Sequence, residues 1–577
     1  MIGSLVAGLI VGAYAAAFRS FGFFHLAEEG LLLAQGARVA AGQVPYVDFH
    51  TGYGPLYFRL QALLLELGGL AGVRWALVVL AGVSGALVHA LTRRLAGPAL
   101  AWVAVAIQVA FFLPVAPTQG AAFLVPYPAW YTSVAALALP FVLARGDVRA
   151  AALAGVVAGL AAGMKVNAGL LLAMGAATAI VLDGSSCGRA GRAVLGLVAT
   201  AAIGLVAPTG MTVTALVLVP PVLALAALGR ERGAADRESL PRLGALVAGF
   251  VLVVVPCYAR PFLALGASRF VREALHVGSG VAEIYAVPFP WTALLGVGVG
   301  LAALVAPATR GMRRLLIGAA VVAVAVAGIV AAGERPSAGL RLAGEGAAFG
   351  AVPLVLWGAL VLARRRPALL TPLAIASTAA LQLYPRPDFE HLSQVAPVLL
   401  PLAFCVWEAA TRSVAVRFGL PLLAAGGRFV PTAVVLAHLA AAELVVVDVG
   451  TSRLAIEPGG AARLQALGNA VEVTASRTSP GDVVLAFPAC AAVPFFAGRL
   501  PAGPHDYFYP GRPDRAEVAA LVERFIAAPP PIAVTCTTAG TDLDAAWDYY
   551  PEMAGLVRDR YRTILHIPDF SVREPAP

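Results

Sequence analysis

Residues 23–58, FFHLAEEGLLLAQGARVAAGQVPYVDFHTGYGPLYF, decide how the rest of the chain is read. The stretch follows one apolar segment and precedes a long series of others. Two adjacent carboxylates, Glu28 and Glu29, stand just past the first segment, and Asp48 and His50 follow in a loop rich in Pro, Gly and Tyr. Residues 28–41 have a helical period, with Glu28, Gln35 and Arg38 on one side and Leu32, Leu33 and Val39 mostly on the other. That pattern predicts a short amphipathic helix at a membrane interface. Gly42 ends it. Pro45 forces an extended segment, and Gly52, Gly54 and Pro55 turn the chain into a second interfacial helix, Leu56 to Leu67.

The 577 residues are 60% hydrophobic and only 13% charged, with a mean hydropathy of +0.83. A soluble domain carries roughly twice that charged fraction, about 25%. Apolar runs recur as far as Val447, which predicts an α-helical polytopic membrane protein with roughly 13–15 spans at about 20 residues each. The segments are 2–18, 71–92, 97–114, 129–144, 150–163, 167–182, 193–209, 211–229, 242–259, 291–309, 314–332, 347–363, 368–384, 396–410 and 429–447. The first is read as a retained span, since it lacks the basic region of a secretory signal.

Connecting loops sort by charge. Arg93-Arg94, Arg145 with Arg149, Arg189 with Arg192, residues 230–242, 310–314, 364–366 and 412–428 form a basic set expected to face the cytoplasm. The other set, residues 19–55, 115–128, 260–290, 333–346, 385–395 and everything after Asp448, is expected outside. The N-terminus is then cytoplasmic. The net charge is +9, nearly all of it from arginine. It reflects loop orientation and lipid headgroups, because no basic run with interleaved aromatics suggests a nucleic-acid groove.

Two domains follow: a membrane part, residues 1–449, with its first outer loop at 19–55, and a soluble extracytoplasmic α/β domain, residues 450–577. In the latter, Asp482–Phe487 and Ile532–Cys536 read as buried strands. Asp514–Ala527 reads as a helix between them, with Ala516, Leu521, Val522 and Phe525 on one face. Strand, helix, strand implies parallel strands. No dinucleotide fingerprint follows the first strand. Of the five cysteines none has metal-ligand spacing, and Cys490 with Cys536 can pair as a disulfide if the tail lies outside.

Three groups of polar residues stand out in so apolar a chain. Glu28 and Glu29 have a plain reading as acids at a helix N-terminus, and a sharper one as a general base at the membrane surface. They point about 100° apart on a helix, so one of the two is expected in a site. The run Tyr384-Pro-Arg386-Pro-Asp388-Phe-Glu390-His391 is a capped loop in its plain reading. Its crowding of Arg, Asp, Glu and His also suits a phosphate ester. Lys165, the only lysine, and Asn167 lie between two spans, where Lys165 either snorkels to headgroups or meets a phosphate. Arg269, Arg272, Glu273 and His276, and then Glu334, Arg341 and Glu345, are weaker rim residues. No serine-hydrolase elbow, Walker loop or zinc-protease motif occurs.

EEGLLLAQGARVAAGQVPYVDFHTGYGPLYF resembles the first outer loop of the bacterial polytopic GT-C glycosyltransferases, the group of protein O-mannosyltransferases and lipid A aminoarabinose transferases. Those have an acidic pair, a helix, a Gly-x-x-Pro-Tyr-x-Asp-Phe-like loop and a Gly-Pro. Here Glu28-Glu29 stands where Asp-Glu is usual. GMKVNAGLLL resembles the family's Lys-x-Asn-x-Gly segment, and YPRPDFEHL its late Arg-Asp-His loop. The resemblance implies a GT-C-like fold in the bacterial cytoplasmic (inner) membrane. It implies transfer of a sugar, as a hexosyltransferase, from a polyprenyl-phosphate donor to an acceptor lipid, glycan or protein on the outer face. Glu28 would activate the acceptor with Glu29 and Asp48 in support. His50, Tyr53, Lys165, Asn167, Arg386, Asp388 and His391 would hold the donor and its phosphate. Some relatives use a divalent cation, Mg2+ or Mn2+, for which the sequence offers no ligand set. The alternative is a lipid-glycan flippase or transporter of envelope precursors, which tends to place charge at the midplane within inverted repeats.

Overall fold

In the computed structural model the described residues are 1–23, 25–113, 115–116, 120–183, 189–206, 212–230, 239–275, 289, 293–294, 297–298, 338–384, 386–411, 414–423, 425, 437, 441, 443–537 and 545–577. Most of the expected span 291–309, all of 314–332, most of 429–447, and the rim residues His276 and Glu334 lie outside them. So do the side chains of Arg341 and Glu345.

The chain is a multi-pass helical membrane protein with a small α/β domain at its C-terminus. Four described helices are long and apolar enough to cross a membrane, lying within Pro55–Ala96, Val166–Asp183, Ser239–Ala274 and Glu390–Ala410. Shorter apolar helices stand among them. In chain order the helices are α1 (Ile2–Ala17), α2 (Leu26–Ala40), α3 (Pro55–Ala96), α4 (Pro98–Ile107), α5 (Pro128–Leu143), α6 (Val148–Met164) and α7 (Val166–Asp183). Then come α8 (Arg189–Val206), α9 (Thr212–Arg230), α10 (Ser239–Leu275), α11 (Ala338–Ala363), α12 (Leu370–Ala380) and α13 (Phe389–Ala410).

Local chemistry sets these boundaries. Proline opens α3, α4 and α5, where a missing N–H costs nothing and φ is already helical. Asp147 caps α6 and Asp388 caps α13, each carboxylate accepting from a backbone N–H three residues on. α3 leaves helical geometry at Gly68 and Gly69, so its first piece lies in the outer loop and its second makes the span. α10 breaks likewise at Gly266 and runs on to Leu275, beyond the expected span 242–259. α6 packs closely on α10 because Gly155 and Gly249 present no side chain: a Cβ on either would run into the facing backbone.

The C-terminal domain holds a hairpin of two strands, β1 (Val445–Val449) and β2 (Ser452–Ile456). The expected domain start at residue 450 therefore falls inside this turn. Val445–Val449 has the alternating burial of a strand and does not continue a span. A five-stranded sheet follows, built on β3 (Val483–Phe487) and β5 (Ile532–Cys536), which are parallel, with Val484 opposite Ile532. β4 (Leu500–Pro501) extends the parallel edge, and β7 (Phe570–Pro575) then β6 (Tyr561–Ile567) add an antiparallel one. The helix Arg515–Ala527 starts with a capping box of Asp514 and Glu517. It buries Val518, Leu521 and Phe525, whereas Ala516 is exposed. Cys490 and Cys536 form a disulfide, with Cα atoms 5.8 Å apart.

This domain is not a free tail. Its core of Val447, Leu454, Leu467, Val484, Val534 and Val572 is continuous with Phe23 and Leu33 of the outer loop and with Leu70 and Val73 of α3. Gly30 of α2 abuts Ala492 so closely that a Cβ there has no room. The first outer loop is thus held between the helical bundle and the C-terminal domain.

Candidate active site

α2 begins with His25 as its cap, its ring nitrogen accepting from the Glu28 N–H at 3.4 Å. Both glutamates then sit in the first turn, and the helix separates them. Glu28 is half-buried and opens onto a small cavity, about 30 Å3, lined by Tyr53, Tyr127, Lys165, Glu390, His391 and Gln394, with Pro128 and Ala129. Five sequence-distant pieces meet there: the start of α2, the loop before α3, the start of α5, the α6–α7 junction and the start of α13. Several are helix N-termini, whose free N–H groups favour an anion.

The Tyr127 hydroxyl donates to Glu28 Oε2 and lies 3.2 Å from Glu390 Oε2. One phenol proton thus bridges two carboxylates. Burial, then the charges of Glu28 and Glu390, push that phenol well above its ordinary range, so it remains a donor. Lys165 closes α6 through its N–H to Ala161 O at 2.8 Å and then turns to extended backbone, which sends its side chain into the cavity. Burial lowers its ammonium to about 8, against the opposing pull of Glu28 and Asp388.

At the start of α13, Asp388 is a hub. Its Oδ1 accepts from His391 N–H at 2.8 Å and sits 2.7 Å from His391 Nδ1, while its Oδ2 accepts from Arg386 Nε at 3.0 Å. Burial works to raise the Asp388 carboxyl. The His391 hydrogen bond and charge, with Arg386, overcome it and hold the group below the usual range. His391 is thereby tethered through Nδ1, leaving Nε2 for the cavity.

Glu28, Tyr53, Lys165 and His391 therefore line one pocket, and Arg386 and Asp388 stand behind His391. The other expected residues go elsewhere. Glu29, 1% exposed, turns inward to pair with Arg74 Nη2 at 3.3 Å, and Arg74 also donates to Phe21 O and Arg19 O. Asp48 is exposed and closes its own turn, accepting from Val44 N–H at 2.7 Å. Asn167 is exposed in the first turn of α7, its Oδ1 accepting from Ala168 N–H at 2.8 Å. His50 faces the C-terminal domain, with Nδ1 2.9 Å from Glu273 Oε2 and its ring stacked on His505 at 4.3 Å. Burial, with the charges of His50 and Arg512, lowers His505 to about 2.

Tyr127, Gln394 and Tyr507 carry no sequence signal for a site, being isolated polar groups in apolar or aromatic surroundings. Glu390 sits inside the crowded run but had no role in it. Tyr507 comes from the C-terminal domain. Burial first, then Glu28, raises its phenol, and Arg386 draws it back down. The same loop is clamped by Arg38, buried at 2% exposure. Its guanidinium reaches Asp506 Oδ1 at 2.6 Å, Pro501 O at 2.9 Å and Gly503 O at 2.8 Å.

Among the described residues the pocket offers no trio of His, Cys, Asp or Glu atoms close enough for a cation; the one such group is His50, His505 and Glu517. Glu28 and Glu390 are already tied through Tyr127, so Mg2+ or Mn2+ would lack a ligand set there.

No family model and no curated protein matches the chain. Solved structures similar to it include two membrane proteins. The oligosaccharyltransferase of Archaeoglobus fulgidus, in complex with Zn and sulfate, is 14% identical over 96% of this chain and 71% of that one, at a TM-score of 0.44. ArnT from Cupriavidus metallidurans, bound to undecaprenyl phosphate, is 14% identical over 99% of this chain and 97% of that one, at a TM-score of 0.32.

Proposed function

We propose that the chain is an integral membrane glycosyltransferase that moves a hexose-type sugar from a polyprenyl-phosphate donor to an acceptor hydroxyl or amine. The site lies on the outer face of a bacterial cytoplasmic membrane. The observation that carries this reading is the gathering of Glu28, Lys165 and His391 from three distant segments around one cavity. Glu28 takes the acceptor proton as the acceptor attacks the anomeric carbon. The bond from that carbon to the donor phosphate breaks, and the phosphate leaves with the electron pair. Lys165 and His391, with Arg386 behind, stabilise the departing charge in a partly dry site. Tyr127 fixes the Glu28 carboxylate, and membrane lipid surrounds the donor's isoprenoid.

The test is release of free polyprenyl phosphate from a labelled polyprenyl-phosphate hexose by purified chain in detergent, with mixed envelope lipids and glycans as acceptors. Release by wild type and its loss in Glu28→Gln support the proposal. Equal release by the variant removes Glu28 from the chemistry. Movement of the intact donor across proteoliposomes without covalent transfer favours the flippase.

A further inference from the structure

We propose that a buried water is built into the helical bundle between α3, α4 and α5, held by Gln108, Ser133 and Ser84. The proposal does not rest on the transferase reading. Its site is a second cavity, of about 20 Å3, lined by those three residues and otherwise by apolar groups such as Phe123, Trp130 and, from α13, Pro397. It lies one helical turn further along α5 and α13 than the Glu28 cavity: Ser133 comes a turn after Ala129, and Pro397 a turn after Gln394.

Two of the three polar side chains have unmet hydrogen-bonding capacity. Gln108 is 1% exposed and Ser133 5%, and neither Gln108 Oε1 nor Ser133 Oγ has a protein partner among the described residues. Gln108 spends the other half of its amide on Ser84, with Nε2 donating to Oγ at 2.9 Å. Turning that amide over only moves the need, since Nε2 would then lack an acceptor. A hydroxyl inside a helix commonly bonds back to a carbonyl of the preceding turn. Thr132 does so, donating to Ala129 O at 3.0 Å, whereas Ser133 makes no such bond and lines the cavity. A buried amide oxygen and a buried hydroxyl without partners are costly in apolar surroundings.

Water answers both needs at once. It donates to Gln108 Oε1 and accepts from the Ser133 hydroxyl, and a lone pair of Ser84 Oγ takes its other proton. One water requires about 10–15 Å3 and two to four polar partners, and both conditions are met. An isoprenoid or acyl segment would leave the amide oxygen and the hydroxyl unpaired. Gln108 also opens the π turn Gln108–Phe112 that follows α4, a rare geometry that recurs at functional sites. The water gives three helices a directional tie where apolar packing has none.

The experiment determines the structure of the full-length chain in lipid nanodiscs with ordered water visible. It also measures unfolding midpoints for Gln108→Met, Ser133→Ala and the double variant. One density peak is expected at about 2.5–3.0 Å from both Gln108 Oε1 and Ser133 Oγ. Each single variant should lower the midpoint. The double should lower it by clearly less than the sum, because either change already strips the water of a partner. Gln108→Met nearly conserves volume, and the wild-type density decides the matter even where a variant does not fold. A wild-type cavity without such a peak, a lipid chain inside it, or additive midpoint shifts overturns the proposal.

Discussion

Glu28 and Glu29 are neighbours in sequence, yet they end in opposite circumstances. Glu29 is sealed in, its two oxygens taken by Arg74 and by the His25 N–H. Glu28 faces a cavity, touched by the Tyr127 phenol and sharing the lining with the Lys165 ammonium. In a chain so poor in charge, both carboxylates look equally purposeful. Partners and exposure tell them apart: a saturated buried pair sets geometry, whereas a half-exposed group among mixed charges can do chemistry.

The sharpest way to break that comparison is to neutralise each in turn. Glu28→Gln should lower turnover about 10²–10⁴-fold, the usual worth of a general base, with the unfolding midpoint unchanged. Glu29→Gln leaves Arg74 buried beside a neutral partner and should cost about 3–5 kcal/mol of stability. Turnover per folded molecule should stay within a few fold of wild type. Thermal melts and single-turnover assays on the same preparations check both, and a matched pattern in the two variants would dissolve the distinction.

The far end of α2 repeats the Glu29 theme. Arg38→Met removes the fork that holds Asp506 and two carbonyls, and strands a buried carboxylate. The expected loss is about 3–5 kcal/mol. It should appear as early proteolytic release of the C-terminal domain, residues 445–577, since the clamp joins that domain to the outer loop. Release at the wild-type rate would show that the shared hydrophobic core alone secures the domain.

Much of this was legible beforehand. Recurring apolar runs outlined the helical bundle. The short apolar runs at Val483 and Ile532 were recognisable as parallel strands, and Lys165 stood out by being the only lysine. Three things escaped. Tyr127 is one aromatic among many, and only a fold that brings α5 against α2 makes it a bridge. The pairing of Glu29 with Arg74 spans 45 residues, beyond any local pattern. His50 was grouped with the site because it lies near Glu28 in sequence, but the loop after Gly42 turns it toward the C-terminal domain. Helix and strand periods are local, and which side of a loop meets which partner is not.

Lys165 offers a finer test. With its ammonium lowered to about 8, it is protonated below that pH and loses its charge above it. Donor capture by the free enzyme should weaken as the cation disappears, so kcat/KM for the donor falls above about pH 8, approaching tenfold per unit. Lys165→Arg stays charged throughout that range and should flatten the decline, whatever its absolute rate. A decline of the same shape in both proteins would assign the titration to another group.

The smallest effect belongs to Asp48, which sequence proximity had placed in support of Glu28. Its carboxylate spends itself on the Val44 N–H of its own turn and is exposed. Asp48→Ala therefore forfeits one solvent-accessible hydrogen bond, worth about 0.5–1.5 kcal/mol, and should leave turnover within about twofold, since an exposed charge is screened within a Debye length. Careful steady-state kinetics beside Glu28→Gln decide it. A loss approaching that of Glu28→Gln would mean that the turn delivers a charge to the cavity after all. The contrast between sealed and open carboxylates would then have to be redrawn around the whole outer loop.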